Sequence, residues 1–65
     1  MSEADKMFEE LGYEKIEEDR VLIYTHELNT IEFNLENKLL YMGENWIDID
    51  DLKAINKKCE ELGWI

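Results

Sequence analysis

Proline is absent from the 65 residues, cysteine occurs once, and glycine occurs three times at widely separated positions. Each scarcity removes a class of architecture. Without proline or a glycine-serine tract there is no linker to divide the chain, and 65 residues cannot fill two cores, so a single domain over residues 1–65 is predicted. Cys59 alone cannot form a disulfide within the chain, and a lone thiol fits a reducing compartment. Gly12, Gly43 and Gly63 are isolated and build no loop to cradle phosphate, which argues against nucleotide hydrolysis. The longest apolar runs, residues 21–24 and 39–42, hold four residues each, where a bilayer needs about 20. Membrane insertion is not expected. No cationic leader with an apolar stretch opens the sequence, and the expected location is the cytoplasm.

Basic residues are also scarce: seven Lys and Arg stand against 17 Asp and Glu, for a net charge of −10. Such a field repels phosphate backbones, so direct nucleic-acid binding is not expected. The imbalance is steepest at the start. Residues 1–19 carry Glu3, Asp5, Glu9, Glu10, Glu14, Glu17, Glu18 and Asp19 against Lys6 and Lys15. A partner that uses charge would be basic and would meet this N-terminal third; a solvated face that keeps a small protein soluble is the plainer reading of the same residues.

What is present is periodicity. Ala4, Met7, Phe8 and Leu11 recur at helical spacing behind Ser2, a capping residue with Asp5 three positions on, so a helix is predicted over residues 3–11. Gly12 ends it, with Tyr13 folding back toward Phe8. Four short strand-like segments follow, at residues 14–17, 21–25, 30–35 and 39–42, separated by polar turns at 19–20, 26–29 and 36–38. Ile31, Phe33 and Leu35 alternate with Glu32 and Asn34, the pattern of a strand with one buried face. Asp48 with Asp51 marks a second N-cap, Ile47 is placed to reach Leu52 as a staple, and Ile49, Leu52, Ile55, Cys59 and Leu62 form the apolar stripe of a helix over residues 49–62, closed by Gly63 and Trp64. The order α-β-β-β(β)-α is an α+β fold: an antiparallel meander of three to four strands, flanked by an N-terminal and a C-terminal helix that cover one face.

Catalytic chemistry is thinly supplied. Ser2 caps a terminus, Cys59 lies on the apolar stripe, and His26, the single histidine, is placed in a turn without a partner, so no catalytic residue is assigned and an enzyme is not expected. Glu44, Asp48, Asp50 and Asp51 cluster as oxygen ligands might, but the spacing of an EF-hand loop is missing and the helix cap accounts for Asp48 and its neighbours. No metal or cofactor is assigned. Paired acids for glycoside chemistry lack room for a cleft. The remaining signal is aromatic. Trp46 follows Gly43-Glu44-Asn45 in a connecting loop; it either seals the core beside the second helix or anchors a partner, because tryptophan is enriched at interface hot spots. Tyr24 and Tyr41 are the other aromatic candidates for a contact surface, and Glu14, Glu17, Glu18 and Asp19 its acidic ones.

The segments Met7-Phe8-Glu9-Glu10-Leu11-Gly12-Tyr13, Ile31-Glu32-Phe33-Asn34, and Leu52-Lys53-Ala54-Ile55-Asn56-Lys57 running to Glu60-Glu61-Leu62-Gly63-Trp64 resemble those of small, mostly uncharacterised acidic proteins encoded by Firmicutes phages and prophages. The likeness spans most of the chain through structural positions and brings no catalytic residue. It implies a binding protein that engages a host protein inside the bacterial cytoplasm, components of antiviral defence included. The alternatives are a sponge for a signalling nucleotide, with Trp46, Tyr41 or Trp64 stacking a ring and Arg20, Lys38, Lys53, Lys57 and Lys58 supplying counter-charge, or an accessory of phage assembly.

Self-association is a further expectation, since the chain is short and lacks disulfides. Residues 21–24 and 39–42 are apolar on both faces, so Leu22 or Val21, Tyr24 or Ile23, and their counterparts in 39–42 would form an outer patch that a homodimer buries.

Overall fold

The computed structural model describes residues 2–27, 29–43 and 46–65. The elements are α1 (Glu3–Glu10), β1 (Glu14–Glu18), β2 (Val21–His26), β3 (Asn29–Asn34), β4 (Leu39–Met42) and α2 (Ile49–Glu61). The four strands form one antiparallel meander in the order β1-β2-β3-β4, as the α-β-β-β(β)-α reading anticipated with its fourth strand present. Met1, Leu28, Glu44 and Asn45 lie outside the described residues.

Local chemistry explains the boundaries. The Ser2 hydroxyl accepts from the Asp5 amide at 3.0 Å and starts α1. At its end the Tyr13 amide donates to Phe8 O and the Gly12 amide to Glu9 O, each at 3.0 Å, the paired bonds of a Schellman stop with Gly12 at φ 94°. The same pair closes α2, from Trp64 to Cys59 O at 2.9 Å and from Gly63 to Glu60 O at 3.0 Å. The start of α2 is a reciprocal box: Asp48 accepts from the Asp51 amide, and Asp51 accepts from the Asp48 amide. Arg20 and Lys38 adopt left-handed φ values of 63° and 57° in the hairpin turns, conformations that cost a residue with a Cβ about 1 kcal/mol.

Strand alternation puts Leu22, Tyr24, Ile31 and Phe33 on one face, where they are buried with Phe8, Tyr13, Ala54 and Ile55 of the helical layer. The aromatics interlock. Phe8 stacks on Tyr24 with centroids 4.0 Å apart, and both meet Phe33 edge-on. Trp64 tilts against Phe33 at 6.0 Å.

Two expectations need correction. His26 does not lie in a turn: it ends β2, with its ring 5.5 Å from that of Tyr13. The stripe Ile49, Leu52, Ile55, Cys59, Leu62 holds only in its second half, where Ile55 is buried and Cys59 and Leu62 pack against the core. Ile49 and Leu52 are exposed, while Asp51, Ala54, Ile55 and Lys58 are buried. The helix is rotated because two charged residues are drawn inward by partners on α1 and on the segment before β1.

Gly12 is held by more than its φ. A Cβ there would lie 3.0 Å from His26 Cε1 and 3.2 Å from its Nδ1, whereas one at Gly63 meets nothing within 4 Å. Gly63→Ala should cost about 1 kcal/mol from backbone strain alone. Gly12→Ala should cost about 2 kcal/mol, because the imidazole must also give way. Urea unfolding of the two variants checks the ranking.

Candidate functional site

Two polar clusters lie inside the fold. In the first, Asp5 on α1 gathers three donors: Lys15 Nζ at 2.8 Å, Tyr24 Oη at 2.5 Å and Lys58 Nζ at 3.2 Å. Glu61 lies 3.7 Å from the same Lys58 and accepts the Ala4 amide at 2.9 Å. Burial alone would raise the Asp5 carboxyl, but the three hydrogen bonds outweigh it and hold Asp5 well below the usual carboxylate range. Glu61 follows the same logic: burial opposes ionisation, and its bonds to Ala4 and Ser2 with the charge of Lys58 carry it below its ordinary value. Burial, then the adjacent Asp5, pushes Tyr24 far above a normal phenol. In the second cluster Tyr13 Oη donates to Asp51 Oδ1 at 3.1 Å, and burial with the Asp51 carboxylate pushes Tyr13 up to about 12.

These groups bolt helices to sheet. Each of these side chains is hydrogen-bonded to a partner on another element. Among the described residues no buried side-chain nitrogen or oxygen lacks a partner. Burial raises the Cys59 thiol, which keeps it protonated and a poor nucleophile. Asp48 and Asp51 are engaged in the capping box, and Glu44 of the acidic cluster lies outside the described residues.

The surface residues singled out from sequence divide. Tyr24 is corrected: it is fully buried and its hydroxyl is spent on Asp5, so it is no contact residue. Trp46 does not seal the core; it is 95% exposed. Tyr41 is 59% exposed. Glu14, Glu17, Glu18 and Asp19 are all exposed along β1 and its turn, with Glu17 3.7 Å from Lys15. Tyr41 and the acids occupy opposite edges of the sheet, since β1 and β4 are separated by β2 and β3, about 14 Å at ordinary strand spacing. The predicted acidic and aromatic surface is therefore not one continuous patch.

The cations proposed as counter-charge are partly spent. Lys58 is buried against Asp5, Lys57 lies 3.2 Å from Glu3, and Arg20 lies 3.0 Å from Glu36. Trp64 is committed to Phe33. Two shallow grooves, of about 320 and 370 Å³, are lined respectively by Met7, Glu10, Leu11, Asp50 and Lys53, and by Glu32, Asn34, Leu39, Leu40 and Tyr41. Carboxylates outnumber cations in both, which disfavours a phosphate.

Sequence reasoning missed Asp51 and Lys58 as buried residues. A signal existed: both are charged residues spaced seven apart with Ala54 and Ile55 between them, so they share a face with apolar neighbours. Comparison of the chain with protein-family models, curated proteins and solved structures returned no match.

Proposed function

We propose that the chain is a non-enzymatic, phage- or prophage-encoded binding module that engages a basic surface of a host protein in the bacterial cytoplasm and acts as an inhibitor of host defence. The observation that carries the reading is Trp46: a tryptophan 95% exposed on a chain of net charge −10 is of the residue type most enriched among interface anchors. The exposed Glu14, Glu18 and Asp19 supply the field that would steer a basic partner. Polar side chains already paired inside the fold favour binding over catalysis. The nucleotide-sponge reading is weakened by the commitment of Lys57, Lys58 and Trp64 to internal contacts.

Affinity capture from a Firmicutes lysate, followed by titration of the purified partner, tests this. The expected partner is basic, its affinity falls as salt rises, Trp46→Ala weakens it about tenfold or more, and charge removal at Glu14, Glu18 and Asp19 flattens the salt dependence. Recovery of no basic protein, or of one whose affinity ignores both salt and Trp46→Ala, overturns the reading.

A further inference from the structure

The two edges of the sheet are chemically unlike. β1 reads Glu-Lys-Ile-Glu-Glu, four charges in five residues, the usual protection of an edge against pairing. β4 reads Leu-Leu-Tyr-Met, with no charge and no proline, and all four residues are 37–60% exposed. Leu40 and Met42 lie on the helical face, opposite Phe33 and Ile31, and Leu39 and Tyr41 lie on the outer face, opposite Asn34 and Glu32. The helices leave β4 uncovered on its own side, so this edge is bare in both directions.

Its backbone is equally open. The Gly43 amide donates to Thr30 O at 2.9 Å, which makes Thr30 and Gly43 a hydrogen-bonded pair. Antiparallel alternation then turns the amide and carbonyl groups of Tyr41 and Leu39 toward β3, and those of Met42 and Leu40 away from it. Two outward residues separated by one inward residue are self-complementary in an antiparallel sense.

We infer that β4 is a homodimer edge: two copies pair β4 to β4 about a two-fold axis at Tyr41, making one continuous eight-stranded sheet. Leu40 of each copy exchanges two backbone hydrogen bonds with Met42 of the other, and the two Tyr41 side chains meet on the outer face as a close, non-hydrogen-bonded pair. Both helical layers fall on the same side, where the uncovered Leu40 and Met42 side chains of the two copies form an apolar floor between them.

The alternative of outer face against outer face is disfavoured by the register. Val21 and Ile23 point outward, as do Leu39 and Tyr41, but Glu32 and Asn34 of β3 stand between them, so stacking the faces would bury a carboxylate. In the edge pairing the two Glu32 residues remain about three strand spacings apart, some 14 Å, beyond the Debye length at about 0.1 M salt. The area covered is on the order of 400 Å² per copy, half that of a standard interface, the size of a weak association. Because each copy carries −10, association tightens with salt, opposite to a basic partner. The inference does not rest on the host-protein reading and leaves the β1 edge, at the far side of the sheet, available to an outside partner.

Sedimentation equilibrium from about 10 µM to 1 mM protein, at low salt and at about 0.5 M salt, tests it. The mass should rise from 7.8 kDa toward twice that value with both protein and salt. Met42→Pro removes an outward donor with no partner among the described residues, and Tyr41→Lys sets two cations face to face at the axis; both should stay at the single-chain mass, while Ile16→Lys on β1 should still dimerise. In the unmodified chain, exchange of the Leu40 and Met42 amides should slow several-fold at high protein concentration, a readout independent of how any variant folds. A single-chain mass at the highest protein and salt, dimerisation unaffected by folded Met42→Pro and Tyr41→Lys, or amide exchange at 40 and 42 independent of concentration would each overturn the pairing.

Discussion

Alanine at Phe8 is expected to remove about half or more of the chain's stability at room temperature. The Phe8 ring is buried between Tyr24, Tyr13 and Phe33, stacked on the first and edge-on to the other two. Truncating a buried phenylalanine costs about 3–5 kcal/mol from lost transfer energy and the cavity left behind. A chain of 65 residues has a stability of only about 3–10 kcal/mol in total. Neighbouring aromatics cannot collapse into the space, because Tyr24 is tethered to Asp5 and Tyr13 to Asp51. Phe8→Leu keeps most of the volume and should retain a cooperative transition with a lower midpoint. Far-ultraviolet circular dichroism with urea titration measures both; a full-strength cooperative transition in Phe8→Ala would show that the aromatic cluster is not the centre of the core.

Asp5→Ala is expected to cost about 3 kcal/mol, because it strands the Lys58 ammonium inside the fold with only the more distant Glu61 at 3.7 Å. The same cluster sets the pH dependence. Asp5 and Glu61 titrate lower in the folded chain than in the unfolded one, so their contribution is complete above the ordinary carboxylate range and is lost as pH falls below about 4. Tyr13 and Tyr24 titrate higher when folded than when unfolded. Their contribution is complete below about pH 10 and declines as pH rises through the range up to the folded-state values. Urea midpoints should therefore be flat from about pH 5 to 9 and fall on both sides. Asp5→Asn should lose most of the acid-side slope while keeping the alkaline one. An acid limb in Asp5→Asn as steep as in the parent chain would mean that other carboxylates govern acid unfolding.

The exposed β4 edge and the exposed Trp46 can be understood together with this internal network. The charged groups of α1 that seem in the sequence to belong to one acidic surface are divided by the fold. Asp5 is turned inward and Glu3 is paired with Lys57, whereas Glu14, Glu18 and Asp19 remain on the β1 side. Charge is thus concentrated on one edge of the sheet and apolar surface on the other. The first suits attraction of a basic partner, the second contact between two copies that otherwise repel.

The elements themselves were legible from residues close in sequence. Ser2 and Asp48 as caps, Gly12 and Gly63 as stops, and the alternation through Ile31 and Phe33 depend on bonds spanning six residues or fewer, so the α+β order and the helix limits follow from the chain read locally, while the β2–β3 hairpin is tighter than its sequence suggests. Three features were decided only by tertiary contact. The rotation of α2 that buries Asp51 and Lys58 requires Tyr13 and Asp5, 38 and 53 residues away. The burial of Tyr24, which its apolar neighbours Val21, Leu22 and Ile23 leave equally plausible on either face, is settled by strand register and by Asp5. An outer patch on β4 was legible in Leu-Leu-Tyr-Met, apolar on both faces, but the exposure of Leu40 and Met42 on the helical face was not: β4 ends the meander, and the helical layer reaches β1 through Asp5 and Lys15 while leaving Leu40 and Met42 exposed.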